Sequence, residues 1–185
     1  SGGTGGTAET DEIDELTMTI TNVADTTENI VFDGTTIALT HGVTGTTTGG
    51  QSIPYSVAVS SGTATISFDG AGQIAFTTAE LVSALDAATY TNTDQAPTIA
   101  ARVITITHLA DEGANDAPND RSADSGLAQT TTITIAAVQD LPTTGDQTIS
   151  ATEDVADMYA SGDFTYADVD SDSITHVKIT TLESA

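Results

Sequence analysis

The sequence predicts an all-β protein: a β-sandwich with one short helix, followed by part of a second sandwich. Three observations carry that expectation. Threonine makes up about a fifth of the residues and recurs in alternating runs, and a branched side chain suits a pleated, half-exposed surface. Apolar and polar residues alternate with period two in Leu16-Thr17-Met18-Thr19-Ile20-Thr21 and from Ile53 to Val59 through Tyr55 and Val57, so each run should bury one face. Turn dipeptides separate several of these runs.

Taken in order, Asn29-Ile30-Val31-Phe32 and Thr35-Thr36-Ile37-Ala38-Leu39 flank Asp33-Gly34, a pair that tolerates the positive φ of a tight hairpin. Ser56 to Ser60 and Thr63 to Phe68 flank Ser61-Gly62 in the same way, and Asp69-Gly70-Ala71-Gly72 closes the second strand. Thr77-Thr78-Ala79-Glu80 reads as a capping box ahead of a helix over Thr78 to Ala87, with Leu81, Val82 and Leu85 on its apolar face. Two longer strands, Arg102 to Leu109 and Gln129 to Val138, are separated by an acidic loop from Asp111 to Asp120 that cannot form a core element. Leu141-Pro142-Thr143-Thr144-Gly145 is a junction, because Pro and Gly interrupt pairing. The organisation expected is a flexible linker over 1–10, a sandwich over 11–140 and an incomplete repeat over 141–185, the whole a segment of something longer.

Charge narrows the partners. With 27 acidic residues against three basic ones, a formal charge of -24 and a pI near 4.1, nucleic acid and anionic membranes are excluded as expectations, and no apolar run is long enough to insert in a bilayer. There is no cysteine, so disulfides, thiolate metal sites and cysteine nucleophiles are ruled out. The composition fits secreted or surface proteins of bacteria, which sets an extracellular expectation. His41, His108 and His176 have no partner at zinc-ligand spacing, no Gly-x-Ser-x-Gly turn marks a nucleophile, and the lack of Trp leaves little for a sugar-stacking cleft. The expectation is therefore no enzyme.

The acidic residues cluster. Asp168-Val169-Asp170-Ser171-Asp172 sets three carboxylates at alternate positions, and so much hard oxygen without Lys or Arg is the donor chemistry of calcium. It is no EF-hand, since the sixth position lacks Gly and the twelfth is Ile179. Glu153 and Asp154 stand upstream in the same unit, and Asp140 lies at the junction, where one carboxylate could reach a shared ion. Asp11, Glu12, Asp14 and Glu15 at the start read as a solvated terminus or a further cation site. The Asp111 to Asp124 loop, with Asp111 and Asp116, offers ligands for another ion or a polar partner.

Thr152-Glu153-Asp154-Val155, the run Phe164-Thr165-Tyr166-Ala167-Asp168-Val169-Asp170-Ser171-Asp172 and the strand Val177 to Leu182 together resemble the cadherin-like, immunoglobulin-like tandem repeats of giant calcium-dependent (RTX-type) bacterial surface adhesins. The match covers the tail, with less distinctive motifs such as Phe32-Asp33-Gly34-Thr35 and Tyr90-Thr91-Asn92 in the first unit. The resemblance implies stacked β-sandwiches of Gram-negative bacteria with calcium at their junctions. By it, Glu153, Asp154, Asp168 and Asp170 map onto calcium-associated positions and Asp140 onto the linker acid. Gln139 stands before Asp140 where Asn is common.

Three functions remain open at this level. The lead is a calcium-stiffened spacer that carries neighbouring repeats of the same protein and supports cell adhesion. The second is a filament subunit in which the tail's strand completes another subunit's sheet. The third is a calcium-dependent module for a cell-surface glycan or protein, using the Asp111 to Asp124 loop.

Overall fold

The computed structural model describes residues 12–50, 52–69, 76–111 and 128–178, and the chain divides into two compact units between Ala136 and Ala137. The first unit is the expected all-β sandwich. Strand β1 (Glu12–Ile20) is followed by the hairpin of β2 (Glu28–Phe32) and β3 (Thr35–Ala38), then by β4 (Thr44–Thr46), β5 (Pro54–Ser60) and β6 (Thr63–Asp69). Next come the two-residue β7 (Phe76–Thr77), helix α1 (Thr78–Asp86), β8 (Thr89–Asn92), β9 (Arg102–Asp111) and β10 (Gln129–Ile133). The larger sheet runs β10-β9-β1-β6-β5-β4, with β7 pairing the start of β1, and the smaller one runs β3-β2-β8.

Both expected hairpins form. Asp33 and Gly34 sit at φ 43° and 71°, Ser61 and Gly62 at 49° and 74°, the left-handed values that such two-residue turns require. Pro54 opens β5 opposite Thr46, at the strand's first position. The period-two runs turn one face inward: Leu16, Met18 and Ile20 of β1 and Ala64, Ile66 and Phe68 of β6 are all buried. They meet Ile30 and Phe32 of β2 and Ile37 of β3. Phe32 is the keystone, its ring 4.7 Å from that of Phe68 and 6.0 Å, edge-on, from that of Phe76.

Helix α1 begins at the capping box read from the sequence. The Glu80 amide donates to Thr77 Oγ1 at 3.2 Å, and Glu80 Oε2 accepts from the Thr77 amide at 2.9 Å. Its buried residues are Leu81 and Ala84, whereas Val82 is 52 % exposed. Position 82 is one residue, about 100° around the axis, from Leu81, so the inward stripe passes through 84 instead. Strand β10 stops at Ile133 rather than Val138, because Ile133 pairs with Arg102, the first residue of β9, and the ladder has no further partner. Its outer edge and that of β8 carry no neighbouring strand among the described residues.

The second unit pairs β11 (Thr143–Gly145) with β12 (Thr165–Ala167), and a single 3-10 turn at Ser161–Asp163 precedes β12. The junction stretch thus supplies a short strand, with Pro142 just outside its ladder. Among the described residues of this unit no apolar side chain is buried, and Leu141 and Met158 are each 90 % exposed.

Candidate functional site

The acidic ladder closes on the first residues of the second unit. Just past β12, the Ser171 amide donates to the Asp168 carbonyl at 3.3 Å and the Asp172 amide to Asp168 Oδ1 at 3.1 Å, with Ser171 left-handed at φ 64°. Asp168 to Asp172 is thus a tight turn. Tyr166 of β12 buttresses it, its hydroxyl donating to the Asp172 carbonyl at 2.7 Å. Partial burial and the charges of Asp168 and Asp172 hold that phenol above its ordinary range.

This turn grips Gln139 and Asp140. Asp170 Oδ2 accepts from the Asp140 amide at 2.7 Å and from Gln139 Nε2 at 3.1 Å, and the same Gln139 nitrogen donates to Asp172 Oδ2. The structure therefore brings together Asp140, Asp168, Asp170 and Asp172, and Asp140 contributes its amide to the contact. Glu153 and Asp154 occupy a separate exposed turn, closed by the Val155 amide donating to the Thr152 carbonyl at 3.2 Å, with Asp154 at φ 64°. The Asp111 side chain, Asp116 and the rest of the acidic loop lie outside the described residues, as do Asp11 and the side chains of Glu12 and Asp14. Glu15 Oε2 lies 2.9 Å from His108 Nε2 across the β1–β9 pair, while His41 accepts from the Val59 amide and His176 is exposed.

The donors at the turn are carboxylates and one side-chain amide, a hard set that suits calcium. Among the described residues no three His, Cys, Asp or Glu side chains already converge at metal-ligand geometry. To share an ion, Asp170 and Asp172 would turn from the Gln139 amide nitrogen, and a flip of that amide would present its oxygen instead.

The first unit holds a second polar cluster, one that sequence reasoning missed. Arg102 of β9, fully buried, donates from Nε to Glu28 Oε2 at 2.9 Å and from Nη2 to Glu28 Oε1 at 2.8 Å, a two-pronged pair with a Glu that is itself 1 % exposed. Nη2 also reaches Asp25 Oδ2 at 3.3 Å, and Nη1 donates to the carbonyls of Thr98 and Ala100. Glu28 further accepts from the Ala24 and Asp25 amides and the Tyr90 hydroxyl, all within 2.9 Å. Asp25 gathers the Asn92 amide at 2.7 Å and the Thr98 hydroxyl at 2.8 Å.

Burial pushes the carboxyls of Glu28 and Asp25 up, but hydrogen bonds outweigh it and hold both below the usual range, those from Arg102 first for Glu28 and from Thr98 first for Asp25. Its bonds to Glu28 raise Arg102, and burial with the Glu28 charge pushes the Tyr90 phenol up to about 12. Such a cluster holds an inert charge rather than a proton poised for transfer. Because Glu28 and Tyr90 belong to the small sheet and Arg102 to the large one, it ties the two layers together.

No family model matches the chain, and neither the curated proteins nor the solved structures return a match. The class defined by the fold is therefore an all-β sandwich, and function has to be argued from its sites.

Proposed function

We propose that this chain is a non-catalytic extracellular β-sandwich repeat, a spacer of a bacterial surface adhesin whose junction calcium stiffens. One observation carries the reading: the Asp168–Asp172 turn holds the Gln139 side chain and the Asp140 backbone, so the acidic motif is tied to the first residues of its own unit, next to the boundary. The proton-bearing groups there are amides and the Tyr166 hydroxyl, and the three Asp charges are opposed by no cation in that turn. A calcium ion bound by Asp168, Asp170 and Asp172, with Asp140 beside them, would neutralise the repulsion and restrict rotation at the linker. Glu153 and Asp154 would belong to the same unit's acidic surface, and neighbouring repeats would be its partners. The buried Arg102 cluster supports the same reading, since it serves cohesion between layers in a chain without disulfides.

The test is a calcium titration of the whole chain, followed by melting and small-angle scattering, against the Asp170→Asn variant. Calcium is expected to raise the melting temperature and narrow the spread of particle dimensions, and D170N to blunt both. Identical curves in calcium and in chelator would sink the calcium reading.

A further inference from the structure

The sandwich is covered unevenly. Residues that pair directly across an antiparallel ladder share a face, so Ile106 and Ile104 of β9 lie on the inward face with Met18 and Ile20 of β1, and Gln129, Thr131 and Ile133 of β10 continue it. Met18 and Ile20 are buried to 2 % and 0 %, yet Ile104 and Ile106 are only half-buried and Thr131 is exposed. The cause is the facing sheet, whose outermost strand on this side is β8: Tyr90, paired with Ile30, and Asn92, paired with Glu28, are inward there, and among the described residues no strand of that layer continues over β9 and β10. The result is a cleft of about 480 Å³ floored by Ile104 and Ile106 and bounded by Tyr90 on one side and Thr131 on the other. Among the described residues no strand pairs with the outer edges of β8 and β10, the strands on the two rims.

We propose that this cleft is an acceptor for a strand of a second copy of the same chain, the segment beginning at Ser173. A free edge supplies main-chain donors and acceptors, and an apolar floor takes alternate side chains, which is the chemistry of strand addition. The segment Ser173-Ile174-Thr175-His176-Val177-Lys178 continuing to Ile179 and Thr180 has the matching pattern, with Thr175, Val177 and Ile179 at alternate positions. Residues 173–178 pair with no strand among the described residues, and Val177 is 52 % exposed. Local charge permits the match: the two copies each carry a formal -24, but from 173 to 182 there is one cation, Lys178, and no acid, so the docking segment itself brings no like charge to the acceptor. Residues 112–127, which join β9 to β10, contain a single large aliphatic side chain, Leu127, and offer the cleft no such alternation. This inference concerns self-association and stands apart from the calcium reading.

Because the chain has no cysteine, introduced thiols report cleanly. Thr131→Cys and Val177→Cys chains, mixed under mild oxidation, are expected to give a disulfide-linked heterodimer at least tenfold above the yield when either is paired with a Ser61→Cys chain. A synthetic peptide of residues 173–182 is expected to bind the full chain and suppress that dimer, and a peptide carrying Val177→Asp is expected to do neither. Sedimentation of the wild-type chain should show concentration-dependent association that Val177→Asp, an exposed position, abolishes with an unchanged circular dichroism spectrum. A monomer at every concentration with no peptide binding would overturn the proposal. So would a disulfide formed within one T131C/V177C chain at limiting dilution, which would place the occupant in the same molecule.

Discussion

At the residue scale the decisive group is Arg102. A guanidinium with no exposure has lost its hydration, and the two-pronged bond to Glu28, the Asp25 contact and two carbonyls replace it. Arg102→Ala would leave Glu28 buried and unopposed, an expected loss of about 3–5 kcal/mol read from the urea midpoint. The pair replaced together, Glu28→Leu with Arg102→Met, is expected to recover only part of that loss, because the apolar pair removes the buried charges but leaves the Ala24 and Asp25 amides, the Tyr90 hydroxyl and the Thr98 and Ala100 carbonyls without their partners. Acid should act on the same site. Glu28 and Asp25 are held below their ordinary values when folded, so their contribution is full above the unfolded carboxyl range near pH 4 and is lost as pH falls through the lowered values. Tyr90 has the opposite sign: its raised value contributes stability below pH about 10, lost as pH climbs towards about 12. The melting temperature is therefore expected to be level from about pH 5 to 9 and to fall on both sides, and a Glu28→Gln chain should lose much of the acid-side slope. Arg102 was visible in the sequence as one of three cations at the head of a strand. Its partners, 74 and 77 residues upstream in sequence, were not, because only the closure of the sandwich brings them together.

The elements most legible in the sequence are those whose signals are local. A capping box, a period-two run and a two-residue turn each act over a few residues, so α1, β1 and the hairpins at Asp33-Gly34 and Ser61-Gly62 follow directly from side-chain chemistry. Thr77→Ala removes the acceptor for the Glu80 amide and one half of the reciprocal cap. It is expected to cost about 1 kcal/mol, a fall of about 4 °C in melting temperature, with Thr77→Ser close to wild type. Elements set by distant partners were less legible. Strand β4, Thr44–Thr46, has no apolar period, and it exists because Gly45 lies opposite Tyr55, whose ring occupies the space a Cβ would need. The end of β10 depends on where β9 begins, and the buried face of α1 on where the sheets lie. At the acidic turn the sequence marked Asp168, Asp170 and Asp172 but passed over Gln139. Counted as a departure from the Asn of the resembled repeats, Gln139 has the longer side chain that spans both Asp170 and Asp172.

At the scale of the whole molecule, charge sets the conditions under which the fold holds. A formal -24 distributed over 185 residues opposes compaction through mutual repulsion, and screening salt and the proposed calcium would relieve it by different physics. Monovalent salt screens every pair, with a Debye length that shrinks from about 30 Å at 0.01 M to about 3 Å at 1 M, so sodium chloride is expected to raise the melting temperature smoothly. A calcium ion at Asp168, Asp170 and Asp172, as proposed, would act at one place. About 1 mM calcium changes ionic strength by only about 3 mM, so any effect beyond that of matched sodium chloride reports a bound ion rather than screening. Magnesium separates the two further, because it dehydrates reluctantly and demands near-octahedral ligands, which a set of carboxylates on one short turn does not supply. The expected order at equal ionic strength is calcium above magnesium above sodium, with the calcium increment lost in Asp170→Asn and retained in Arg102→Lys, since that residue belongs to the other unit. If sodium chloride alone reproduces the calcium curve, the acidity of the chain is a diffuse field and the turn at Asp168 is held without an ion, by its own amides and by Gln139, Asp140 and Tyr166.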